Sequence, residues 1–178
     1  CDWSSDVCSS DLLDAFLPLR EDLLRMAYGS YILELVDKLL GDEDAQTEVF
    51  NLLLITLQMI KEKGPLDVLL RRFELILLSI LGYQPHLIDC VHCRQKLTKE
   101  DILFFSVAQG GLECSNCVSD YKSKKIRSET VAAMISLLEL SSYQALELQL
   151  SPVSWREMET IMEEYILYRT ERELKTIS

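Results

Sequence analysis

Glycine and proline are scarce in this chain of 178 residues, at six and four, which excludes collagen-like repeats and low-complexity spacers. Apolar runs are short as well. Runs such as 52–55 and 75–78 fall far below the roughly 18 residues that a membrane-spanning helix needs, so no transmembrane helix is expected. Positive charge is in deficit, with 18 Lys plus Arg against 29 Asp plus Glu and a formal net charge of -11. Nucleic acid is a dense line of negative charge that attracts Lys and Arg through counterion release, so the chain as a whole would be repelled by it. Any nucleic-acid role must therefore rest on a local basic patch, on another part of the protein or on a partner. What is plentiful is apolar: 48% of the residues are hydrophobic, which excludes disorder and suffices for one large domain or two small ones.

Catalytic motifs are missing too. Histidine occurs only as His86 and His92, and there is no G-x-S-x-G, no Gly-rich phosphate loop and no H-E-x-x-H. Acidic pairs such as Asp42 with Glu43 and Glu163 with Glu164 fall at expected helix ends and faces, where carboxylates are ordinarily solvated. His86 follows Pro85 in an expected loop, where a surface or hinge role is commoner than acid–base work.

The first twelve residues, CDWSSDVCSSDL, are Ser-rich and without periodicity, and 2–12 resemble the conceptual translation of a DNA-sequencing adapter. They are expected to be non-native and are set aside from fold reasoning. Without Asp2, Asp6 and Asp11 the charge goes from -11 to -8, and without Cys1 and Cys8 the cysteines go from 6 to 4.

Those four cysteines form one pattern. Cys90 and Cys93, then Cys114 and Cys117, make two C-x2-C pairs, a spacing that lets each pair converge on one side of a tight knuckle and two knuckles complete a tetrahedron. One structural Zn²⁺ is expected, because four thiolates leave no open position for water or substrate. Between the pairs, residues 102–107 are β-branched and aromatic, and Gln109-Gly110-Gly111 supplies a turn, which predicts a β-hairpin. Two disulfides, a redox C-x-x-C pair and a four-thiolate iron site remain as alternatives. His92 lies inside the first knuckle and could replace a thiolate, but reads more simply as an exposed loop residue.

The rest reads as helix. A first helix is expected to start at Pro18 and to run on until Gly41-Asp42 closes it; a second spans about 44–63, ended by Gly64-Pro65. A third, 66–81, is apolar nearly all round and is the expected central core helix. Ser128 is expected to cap a helix through Leu140, and Ser154 with Glu157 has capping-box spacing for a last helix reaching about Lys175. Residues 143–150 are ambiguous between a helical turn and extended chain. The fold class is mainly α, a helical bundle with an inserted small four-cysteine zinc lobe containing a β-hairpin. The expected division is 13–88 and 121–178 for the helical domain and 89–120 for the lobe.

One cationic run stands out. Lys122, Lys124, Lys125 and Arg127 follow directly on Cys117, where they could hold phosphates or an acidic peptide tail. The plain alternative is a solvated linker partly neutralised by Asp120 and Glu129. The Arg71-Arg72 pair is a weaker candidate, since such stems often lie over a core helix without binding anything.

Phe73-Glu74-Leu75, Leu78, Leu81-Gly82-Tyr83 and Pro85, followed by Cys90-x-x-Cys93, Phe105-Ser106, Gly110-Gly111 and Cys114-x-x-Cys117, together resemble the RecO family of bacterial DNA-repair proteins. Ala27-Tyr28-Gly29-Ser30-Tyr31 with Glu34-Leu35 upstream, and Arg172-Glu173-Leu174-Lys175 at the end, extend the likeness over 13–178. The resemblance implies an OB-fold domain ahead of a helical domain with a zinc lobe, whose ligands transfer to Cys90, Cys93, Cys114 and Cys117. It further implies a non-enzymatic mediator of homologous recombination in a RecFOR-type pathway and the SOS response to DNA damage. Its implied partners are RecR, the acidic C-terminal tail of single-stranded DNA-binding protein, RecA in loading, and single- and double-stranded DNA, the last mostly through the OB-fold. The implied location is the bacterial cytoplasm near the nucleoid. The alternative function is a thiol-based redox or iron-binding electron-transfer module.

Overall fold

The computed structural model describes residues 16–40, 47–62, 64–118 and 122–176. The first twelve residues, Gly41, Asp42, Glu43, Asp44, Lys63 and Asp120 lie outside the described residues. Ten elements follow one another: α1 (Leu17–Arg20), α2 (Leu23–Leu39), α3 (Thr47–Lys61), α4 (Leu66–Ile80), β1 (Leu103–Ser106), β2 (Gly111–Cys114), β3 (Lys124–Ile126), α5 (Ser128–Glu139), α6 (Ser142–Ala145) and α7 (Pro152–Thr176). The architecture is the expected one, a helical bundle with a small four-cysteine lobe built on a hairpin.

One short-range expectation fails at the start. The single helix from Pro18 is broken into α1 and α2, because Asp22 adopts an extended backbone and its carboxylate accepts from the N–H groups of Leu24 at 3.0 Å and Arg25 at 3.2 Å. Asp22 thus caps a new helix instead of continuing the old one.

Helix α4 is the centre, as its apolar pattern predicts: it packs against α2, α3, α5 and α7. Phe73, Leu75, Leu77 and Leu78 are wholly buried, each contributing about 1.5–3 kcal/mol of hydrophobic stabilisation relative to exposure. Three of its charged residues are turned to internal use. Arg71 Nη1 lies 3.0 Å from Glu74 Oε2, both side chains are buried, and the Tyr31 hydroxyl donates to Glu74 Oε1 at 2.9 Å. The Arg72 guanidinium donates to the carbonyl of Leu137 on α5. The Arg71-Arg72 pair is therefore interior bracing. The helix ends in a Schellman motif: Gly82, at φ +80°, lets its N–H reach Ser79 O at 3.1 Å and that of Tyr83 reach Leu78 O at 2.7 Å. This turn delivers the chain into the lobe.

The lobe's sheet has the order β2-β1-β3, all antiparallel, with Leu103 facing both Cys114 and Ile126. The β1–β2 hairpin is the expected one. The third strand was not expected, since β3 is three residues long and only Ile126 is buried, so its pattern is that of a charged linker. Lysines on a short edge strand are a common device for blunting an open sheet edge.

Helices α5 and α7 are joined at their N-termini by exchanged glutamates, which corrects both expected caps. Arg127, not Ser128, holds the cap position of α5, without a side-chain cap bond. Glu157 of α7 takes over that role: its Oε2 accepts from Arg127 N at 2.9 Å and from the Thr130 hydroxyl. In return Glu129 of α5 accepts from Ser151 N at 3.0 Å and Ser154 Oγ at 2.7 Å. Ser154 and Glu157 hence form no capping box. Ser151 Oγ accepts from Ser154 N at 3.3 Å, and Pro152 opens the helix. The ambiguous 143–150 segment starts within α6, which has its own capping box from Ser141 and Gln144, and then leaves helical geometry.

Candidate metal centre

Each knuckle is folded by its own backbone. In the first, Arg94 N donates to Cys90 O at 2.9 Å and Cys90 N to Gln95 O at 3.0 Å, with Arg94 in the left-handed region at φ +60°. In the second, Cys117 N and Val118 N both donate to Cys114 O, at 3.0 and 3.1 Å. The hairpin then carries the second knuckle to the first. Val91 N donates to Leu112 O at 2.8 Å and Leu112 N to His86 O at 2.9 Å, sewing the chain around the first knuckle along the outer edge of β2.

The four sulfurs end within 4.8 Å of one another. The Sγ atoms of Cys93 and Cys114 are 3.8 Å apart, matching the about 3.8 Å edge of a tetrahedron with ~2.3 Å metal–sulfur bonds. All four cysteines are free, and that separation is far from the ~2 Å of a disulfide. Cys90 and Cys114 are buried, Cys117 is partly so and Cys93 is exposed. Burial raises the Cys90 thiol pKa, but N–H donation from Cys93, Cys114 and His92 outweighs it and draws it below the usual thiol range, while hydrogen bonds with Cys114 and Cys93 push the Cys117 thiol up. The donor set fits a tetrahedral soft-ligand metal such as zinc.

Both histidines are tied down. His92 is exposed in the loop of the first knuckle, as expected, and its Nε2 lies 2.7 Å from Glu113 Oε1, which anchors it to β2. His86 Nε2 lies 2.7 Å from Asp89 Oδ1, and this hydrogen bond is the main cause holding the Asp89 carboxyl below the usual carboxylate range. Glu113 itself is 1% exposed and also accepts from Ser123 Oγ at 2.7 Å. Sequence reasoning missed it; the available signal was an acid in an otherwise apolar four-residue strand, directly before a ligand cysteine.

The cationic run is divided among several tasks. Lys124 Nζ pairs with Glu164 of α7, and Arg127 Nε lies 3.9 Å from Glu157 Oε1. Lys122 and Lys125 are exposed. Among the described residues, no helix is long and apolar enough to cross a membrane.

A helical scaffold bearing a closed four-thiol lobe defines the class of protein. Residues 20–177 match the family described as Recombination protein O C terminal. The chain is 36% identical over 170 residues to DNA repair protein RecO of Symbiobacterium thermophilum, covering 93% of this chain and 67% of that protein. It is 35% identical over 161 residues to DNA repair protein RecO of Alkaliphilus metalliredigens (89% and 65%) and 34% identical over 176 residues to that of Roseiflexus sp. (97% and 61%). The chain belongs to the RecO family, and it spans about two thirds or less of the length of these relatives.

Proposed function

We propose that this chain is the partner-docking part of a recombination mediator, working by binding and not by covalent chemistry. The lobe of 89–120 is held by one structural zinc on Cys90, Cys93, Cys114 and Cys117, and the body of 13–88 and 121–178 is the frame on which it sits. The observation that carries the reading is the closed four-sulfur cluster within a RecO C-terminal domain. Four thiolates around one ion supply a fold-holding bond and no reactive position.

In this reading the intact protein docks RecR and the acidic tail of single-stranded DNA-binding protein, assists RecA loading and strand annealing, and contacts DNA mainly through an OB-fold. It acts in the bacterial cytoplasm near the nucleoid. The Lys122, Lys124, Lys125 and Arg127 run is the proposed secondary contact for phosphates or an acidic tail, with Lys125, exposed on β3, leading it.

Two measurements test the reading. Metal analysis is expected to find one zinc per chain and no visible absorbance; a coloured iron form would favour the electron-transfer alternative. Fluorescence anisotropy at low salt is expected to detect binding of an acidic tail peptide, weakened by Lys125→Ala and by added salt. Absence of binding at low salt would count against docking.

A further inference from the structure

We propose that Glu113 is the positioning residue of the metal centre, a two-armed clasp whose separate carboxylate oxygens hold the two knuckles in register around the ion. The inference rests on reading the four-sulfur cluster as a metal site. Its basis is geometric. Glu113 lies on β2 immediately before Cys114, and strand alternation sends its side chain to the sheet face opposite Cys114. There it is 1% exposed. One oxygen, Oε1, accepts the Nε2–H of His92, which sits between Cys90 and Cys93, at 2.7 Å. The other, Oε2, accepts the hydroxyl proton of Ser123, on the segment leaving the second knuckle, at 2.7 Å. A single side chain thus grips the first knuckle, the strand that carries Cys114, and the chain beyond Cys117.

The choice of a carboxylate here calls for a reason beyond stability. Burying an acid costs desolvation, and an apolar residue of similar volume often serves packing as well or better. Two acceptor oxygens diverging toward two donors on different loops are what an apolar side chain cannot supply. Outer groups that fix the orientation of a metal site typically alter metal affinity by about 10–100-fold when removed.

The test follows zinc transfer from the full chain to an excess of a chromophoric chelator, together with thermal unfolding of the helices by circular dichroism. Glu113→Ala is expected to release zinc about 10-fold faster than the parent, with the helical transition little moved. Glu113→Gln is expected to release it as slowly as the parent, since the amide oxygen can accept from His92 while the Ser123 hydroxyl turns to accept from the amide N–H. Ser123→Ala, which removes one arm and no charge, is also expected to speed release, and it covers the case in which Glu113→Ala retains no metal. Release from Glu113→Ala or, in that case, from Ser123→Ala at the parent rate would overturn the clasp. A parent chain that binds no metal would instead overturn the metal-site reading beneath it.

Discussion

The hydroxyl of Tyr165, on α7, donates to the backbone carbonyl of Tyr83 at 3.0 Å, across 82 positions of sequence. Tyr83 lies just past the Schellman turn that ends α4, so this bond ties the entrance of the lobe to the last helix. The same ring meets Phe105 of β1 edge-on, with centroids 5.6 Å apart and planes at 90°, and the Arg169 guanidinium lies over it at 4.8 Å. The lobe is therefore seated on the bundle around one buried tyrosine. Tyr165→Phe keeps the ring and deletes the donor, and is expected to cost about 1–3 kcal/mol because the Tyr83 carbonyl loses its partner. Urea unfolding gives the size, and amide exchange should rise at 103–114 before it rises in α4.

Gly110 sits under that tyrosine at φ +72°, and a Cβ there would lie 2.6 Å from Arg169 Nη2 and 2.8 Å from the Tyr165 hydroxyl oxygen. Gly82 has a similar φ of +80° but open space around it. Gly82→Ala should therefore cost only the left-handed backbone strain, about 1–2 kcal/mol, and Gly110→Ala distinctly more. Equal costs in matched denaturation curves would mean that the seat yields easily.

Glu74 links stability to pH. Burial, its largest influence, raises its pKa from 4.5 to about 7; the Arg71 charge and the Tyr31 hydroxyl oppose this, and Glu163 and Glu159 reinforce it. Between those two values the folded state holds a proton that the unfolded chain has lost, so stability falls as pH rises from about 4.5 to about 7. The effect is on the order of 3 kcal/mol. Glu74→Gln imitates the protonated form and should remove this component, so that the variant gains on the parent between pH 5 and pH 8 in denaturant titrations. An unchanged difference across that range would contradict the assignment.

Metal removal should act locally. The lobe has little apolar material of its own, and zinc–thiolate binding contributes on the order of 10 kcal/mol in small zinc peptides. Strong chelation, or Cys114→Ser, is expected to open the 90–117 region to proteolysis while most helical signal remains. Retained metal and unchanged protease resistance in Cys114→Ser would defeat the expectation.

Much of this molecule is legible along the chain because the relevant physics is local. Helix α4 is announced by residues that are apolar nearly all round, and the hairpin by β-branched and aromatic residues flanking a Gly-Gly turn. The four cysteines identify themselves by spacing alone, since a C-x2-C pair closes its knuckle with its own backbone. Asp22 shows the limit even at short range. Its carboxylate could have faced solvent on a continuous helix, and only the observed bonds to Leu24 and Arg25 mark it as a new start.

Composition and periodicity determined a mostly helical body, its central helix and a lobe nucleated by four thiols, because burial of apolar stripes and the geometry of a knuckle need only neighbouring residues. Tertiary structure alone decided that Glu157 and Glu129 would cap each other's helices, that Lys124 would join a sheet and pair with Glu164, and that Glu113 would reach both His92 and Ser123. Each of these depends on a partner ten to forty residues away. A polar side chain carries no mark of which distant donor will meet it; the packed core settles that by bringing the two together.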